Sequence, residues 1–290
     1  MTAARILNEH RCLLGEGPTY DVAAGALYWF DILDRQLLEQ DLDTGRFVRH
    51  DLPVMASALF AVDPQRQLLF ADDGFYLRDR ASGALKLHTA LEQDRPGNRC
   101  NDARSHPSGS LWAGTMGRKA EPNAGAIYWF RAGAVRRLYD GVTIPNSISF
   151  SPDGTIGYFT DTVVGILYRV DLDPATGLPT GDPKIYVDHR GHPGGLDGSV
   201  VDLDGVLWNA RWGAGCVDAY SSDGVRLESI ALPAAQTSCP AFAGKDLTQM
   251  VVTSATEGMD DAAMTGDPHA GKTFVLDRPM RGQADAAVAI

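Results

Sequence analysis

Apolar residues along this chain fall into short runs, each entered through a turn rich in Asp, Pro and Gly and each ending in small residues. The pattern recurs six times. It reads DVAAGALYWFD from Asp21, DPQRQLLFADD from Asp63, HPSGSLWAGT from His106, SPDGTIGYFTD from Ser151, DLDGVLWNARW from Asp202 and AGKDLTQMVVTSA from Ala243, with starts 41 to 51 residues apart. A second turn-linked strand pair follows each copy, as in DRQLLEQDLDTG from Asp34, GFYLRDRASG from Gly74, GAIYWFRAG from Gly125 and GILYRVDLDPATG from Gly165. GCVDAYSSDG from Gly215 and GKTFVLDRP from Gly271 complete the series. Helical periodicity is nearly absent. Two hairpins per ~45 residues make one four-stranded propeller blade, and a blade cannot bury its faces alone. The pattern therefore predicts an all-β, six-bladed β-propeller with four antiparallel strands per blade, residues 1–290 forming a single domain. Ala4–Leu7 is expected to supply the outer strand of the last blade. Trp29, Trp112, Trp129 and Trp208 are expected to pack between blades, because propeller cores need bulky side chains.

Composition agrees with many tight turns: 31 glycines and 16 prolines in 290 residues. The net charge of −11 would repel phosphate backbones and anionic membranes, which disfavours nucleic-acid or membrane partners. Cys12, Cys100, Cys216 and Cys239 form no CxxC pair, and their spacing matches neither a structural zinc site nor a disulfide scaffold. The start lacks the apolar run of a signal peptide. The expectation is a cytoplasmic protein with no obligatory protein partner.

In a propeller the innermost strand of each blade lines the central channel. Five residues before each repeat start, the same position recurs as Glu16, Ala58, Asn101, Asn146, Asp197 and Ser238. Blades one, three, four and five thus direct carboxylate or amide oxygens towards one axis. Two carboxylates and two amides brought together repel one another unless a cation satisfies them. An oxygen-only donor set suits a hard divalent ion.

These motifs together resemble one family. LGEGP near the start, RCNDARSHPSGSLWAGTM from Arg99, IPNSISFSPDG, LDGSVVDLDGVLW and TSATEGMD occur in an order and spacing similar to those of the senescence marker protein (regucalcin), gluconolactonase and luciferin-regenerating enzyme family. The resemblance spans nearly the whole chain. It implies hydrolysis of a sugar (aldono) lactone to its acid. It also implies one divalent metal ion (Ca²⁺, Mn²⁺, Zn²⁺, Mg²⁺ or Fe²⁺) on Glu16, Asn146 and Asp197, with Arg99 and Asn101 contacting substrate and Asp197 transferring protons. An acidic residue soon after the GTM segment also contacts substrate in the family. Here Glu121 is the candidate, with Lys119 as the alternative alignment. The nucleophilic water would be activated either by Asp197 or by the metal itself.

GDPHAGKT, from Gly266 to Thr273, matches a phosphate-loop expression but is followed by strand-like TFVLDRP instead of the helix that phosphate binding needs. No GxSxG elbow is present. The loops Val54–Ser57, Arg118–Asn123 and His189–Gly195 are expected to shape substrate choice, and His189 and His192 either line the entrance or simply decorate their loop. Two other functions fit the same scaffold: a metal-dependent phosphotriesterase or esterase, and a non-catalytic calcium-binding propeller. Arg99 and Asn101 favour a polyhydroxylated substrate.

Overall fold

A computed structural model describes residues 4–290. Six sheets, each built around four antiparallel strands, stand around a central channel, as the repeat predicts. The channel is lined by the first strand of each blade: Gly15–Asp21, Ala56–Ala61, Asn98–Ser105, Pro145–Phe150, Gly195–Val201 and Thr237–Ala243. Ala4–Asn8 pairs antiparallel with Thr273–Leu276, placing Ala4 opposite Leu276, so the N-terminal strand completes the last blade and closes the ring. Blade four differs: the long strand Ile166–Asp173 pairs with both the short Leu178–Pro179 and the outer Lys184–Asp188.

The hydrophobic core is divided into six clusters, one at each seam between neighbouring blades. Trp29 and Leu27 of blade one meet Ala241 and Val251 of blade six, and Trp112 and Trp129 of blade three meet Phe150 and Phe159 of blade four. Trp208 of blade five meets Phe242 and Phe274 of blade six. Burying a side chain of this size contributes ~1.5–3 kcal/mol or more, which makes the seams the main source of cohesion. Trp112 also donates to Gly177 O at 2.9 Å and Trp129 to Thr176 O at 2.8 Å, so their indole N–H groups are not left bare.

After the last strand the chain crosses the far mouth of the channel. Leu203 N donates to Arg281 O, Val288 N to Ala61 O and Ala289 N to Gly109 O. Asp285, on this strap, lies 3.4 Å from buried Arg104. The channel is therefore covered at one end and open at the other.

The GDPHAGKT segment has its helix on the wrong side for a phosphate loop. Asp261–Gly266 precedes it, Thr273–Leu276 follows as a strand, and the Lys272 ammonium pairs with Glu9 at 2.5 Å. Among the described residues no helix is long and apolar enough to cross a membrane.

Candidate functional site

The open mouth holds a cleft of about 330 Å³ whose wall includes Glu16, Arg99, Asn101, Asn146 and Asp197. These residues come from four different blades. Their convergence depends on a break in strand register that all six inner strands share. Glu16 is paired with Phe30, and the register then shifts before Thr19; the same shift falls between Cys100 and Ala103, Asn146 and Ser149, and Leu196 and Ser199. Blades two and six shift between Ala56 and Ala58 and between Thr237 and Pro240. A bulge turns side chains that would otherwise alternate. Glu16 and Asn146 are the last paired residues before the shift, whereas Asn101 and Asp197 fall within it, so the four occupy two adjacent positions and not the single equivalent one that the spacing from the turns predicts.

The ring is held by hydrogen bonds between blades. Arg99 is buried and donates to Asn101 Oδ1 at 2.8 Å and to Cys100 O at 2.9 Å. Asn101 Nδ2 donates to Asn146 Oδ1 and to Pro145 O, both at 2.9 Å. Asn146 Nδ2 donates to Thr162 Oγ1, whose hydroxyl donates to Leu196 O. The relay fixes each amide, leaving one Asn146 Oδ1 lone pair free. Asp197 is held through its backbone: its carbonyl accepts from Ser147 Oγ and Asn209 Nδ2, with Ser147 in a left-handed conformation at φ 59°.

The carboxylates are under electrostatic stress. Glu16 is pushed up to about 8, first by burial and then by Asp102, although its Oε2 accepts from Gly17 N at 3.0 Å. Asp197 is raised well above the usual carboxylate range by burial and by Glu16 and Asp102. Asp102 itself is raised to about 6 by burial, partly offset by Arg104 and by the N–H groups of Ile148 and Ala103. The guanidiniums that act on Glu16 are committed elsewhere, Arg99 to Asn101 and Arg104 to Asp285. An uncompensated pair of buried carboxylates with fixed amide oxygens beside it has the donor chemistry of a hard cation site. The residues present thus fit a divalent ion on Glu16, Asn146 and Asp197.

Glu121 does not reach the cleft wall. Its carboxylate is exposed and accepts from Lys119 N at 3.0 Å, because the chain turns tightly after Gly117 and folds the side chain back on its own loop. Lys119 lies on the wall, as do Arg118 and Ala120. Val54–Met55 borders a separate depression, and His189 is turned into its own loop, 3.1 Å from Pro193 O and Gly194 O. Asp102, Thr162, Trp212 and Glu257 were not singled out by sequence reasoning. Trp212 ends a second strand, and Thr162 and Glu257 stand one and three residues beyond the ends of theirs, so the repeat register extended past those strands would have pointed to them.

Residues 14–256 match the model of the SMP-30/Gluconolactonase/LRE-like region. The chain belongs to this family. Among the family's solved structures, a calcium-binding protein, regucalcin, from Agrobacterium tumefaciens is 52% identical, with a TM-score of 0.99 over 100% of this chain and 98% of that one. An L-arabinolactonase of Azospirillum brasilense is 36% identical over 99% of this chain and 95% of its own length. A pentonolactonase of Haloferax volcanii is 34% identical over 98% and 97%.

Proposed function

We propose that this protein hydrolyses a sugar lactone, most readily a five-carbon aldonolactone, at the open channel mouth and with the help of a divalent cation. The observation that carries the reading is the convergence of Glu16, Asn146 and Asp197 beside buried Arg99 in an open, polar cleft. Full-length relatives named as L-arabinolactonase and pentonolactonase support the substrate class.

Glu16, Asn146 and Asp197 would hold the cation. When bound, it supplies Lewis-acid polarisation of the lactone carbonyl and stabilises the negative charge that develops on that oxygen. Asp197 orients the attacking water and accepts its proton, a role that its place on the cleft wall beside the other proposed ligands allows. Water oxygen bonds to the carbonyl carbon, the ring C–O bond breaks, and the departing ring oxygen takes up a proton to become the hydroxyl of the sugar acid. Arg99 presents its guanidinium to substrate oxygens in forked geometry, and Asn101 fixes its direction. Lys119 and Glu257, both exposed on the wall, are placed to hydrogen-bond the sugar hydroxyls.

The test is a pH-indicator assay against a panel of pentono- and hexonolactones, using chelator-treated and metal-restored protein. Activity that disappears with the metal and returns with it supports the reading. Full activity after thorough demetallation removes the Lewis acid from it. The calcium-binding name of the Agrobacterium relative favours one second reading, a propeller that binds calcium without catalysis. Metal binding with no hydrolysis of any lactone would select it.

A further inference from the structure

We propose that His10, Cys12 and Asp31 form a second metal site, for zinc, at the seam where the ring closes. One ring nitrogen of His10, Cys12 Sγ and a carboxylate oxygen of Asp31 all lie within 4.8 Å of one another. Thiolate, imidazole and carboxylate are zinc's usual donors, and three protein ligands plus a water complete its tetrahedron. The site is distinct from the all-oxygen ring in the channel, and the inference does not depend on the chemistry proposed there.

The state of each ligand points the same way. Cys12 is 1% exposed, and His10 Nε2 is buried with no hydrogen-bond partner, as is Trp29 Nε1. Asp31 is fully buried; Oδ2 accepts from Leu13 N at 2.7 Å, and Oδ1 accepts from Leu14 N at 3.1 Å and Asp34 N at 3.3 Å. A carboxylate offers about four lone-pair positions, so Oδ2 retains one. His10 packs against Phe47, 5.7 Å between ring centres, which fixes the imidazole at the seam. Arg49 and Asp34 flank the imidazole with opposite charges. Zinc with one thiolate, one carboxylate and a neutral imidazole is a neutral complex, which a buried seam tolerates far better than isolated charges.

Blade four shows that the fold itself does not require these donors. There Asp161 plays the part of Asp31, accepting from Thr143 N at 2.7 Å and Ile144 N at 3.1 Å. The residues standing where Cys12 and His10 stand are Val142, packed in a seam, and Asp140, paired with Arg137 at the surface. The same turn is therefore built without sulfur or imidazole. In blade one the donors join the N-terminal segment to the closing seam, where Cys12 N donates to Gly271 O and Cys12 O accepts from Thr256 N. Zinc there would staple the first blade to the last, displacing the Cys12 thiol proton to water.

The experiment is titration of the chelator-stripped full chain with Co²⁺, followed by competition with Zn²⁺. The expected result is a near-ultraviolet thiolate-to-cobalt charge-transfer band with tetrahedral visible bands, removed by zinc and absent from Cys12→Ser. His10→Ala, a change at a half-exposed position, should weaken binding by ~100-fold or more, since even outer-shell losses cost 10–100-fold. It serves as the measurement if Cys12→Ser fails to fold. Asp197→Asn should leave the band intact, which separates this site from the channel. Zinc should also raise the Tm of the unmodified chain and not that of His10→Ala. No charge-transfer band in the unmodified chain, or a band that survives in both variants, overturns the proposal.

Discussion

Asp197→Asn removes a charge and a base with little change in shape, so it separates what the carboxylate does for the reaction from what it does to the fold. Asp197 is 4% exposed, and burial together with Glu16 and Asp102 raises its pKa. Its neighbour Glu16 is moved from an ordinary 4.5 to about 8 by burial and by Asp102. Each tenfold change in proton affinity corresponds to ~1.4 kcal/mol, and the stress is shared between the carboxylates. Removing one charge should therefore return roughly 1–3 kcal/mol to the metal-free fold. At about 2–4 °C per kcal/mol for a domain of this size, the metal-free Tm should rise by several degrees. The same substitution should lower kcat by about 10²–10⁴, the range for loss of a general base, and weaken the divalent ion. Calorimetry of chelator-treated protein at pH 8 and the lactone assay with saturating metal measure the two effects. Wild-type kcat with an unchanged metal-free Tm would refute both halves of the reasoning.

Metal-free protein should lose stability as pH rises from about 4.5 to 8: folded Glu16 keeps a proton that the unfolded chain has released, so its contribution is full below 4.5 and gone above 8. Metal-saturated protein should lack that slope in a pH series of thermal melts. Asn101→Ala leaves all three proposed metal ligands in place but frees Arg99 and Asn146, and kcat/KM should fall roughly tenfold to a hundredfold with an unchanged circular dichroism spectrum. Glu257→Gln should raise KM severalfold while kcat stays within about twofold, because an exposed wall residue acts through sugar hydroxyls present in ground and transition states alike. Equal KM across the lactone panel would remove Glu257 from substrate binding.

The blades were legible because the same turn chemistry recurs at the end of each inner strand or within two residues of it. Counting back from Asp21, His106, Ser151 and Asp202 reached four residues that the structure gathers on one cleft wall. Counting could not reach Asp102. Alternation along a regular strand sends the side chain after Asn101 away from the channel, but the register shift between Cys100 and Ala103 overrides alternation. Asp102 then acts from blade three on Glu16 of blade one and Asp197 of blade five. Glu121 illustrates the opposite failure. Its distance from the GTM segment places it near the cleft in sequence, yet the backbone N–H of Lys119 captures its carboxylate first.

The shared register shift also explains why the site is lopsided. Every inner strand carries a register shift near its start, so the scaffold is close to sixfold while its chemistry is not. In blade two the shift passes over Ser57, and Ala58 just after it is buried among the apolar side chains of its seam. Blade six places Ser238 within its shift, and its hydroxyl donates to Gly15 O beside Glu16, at 2.5 Å, instead of facing a ligand. Donors suited to a cation therefore collect on blades one, four and five, while Arg99, Arg118 and Lys119 occupy the blade-three side. A lactone bound between them would turn its carbonyl towards the carboxylates and its hydroxyls towards the cations and Glu257. That polarity follows from which side chains stand beside and within the six register shifts, and it needs no departure from the repeat that builds the blades.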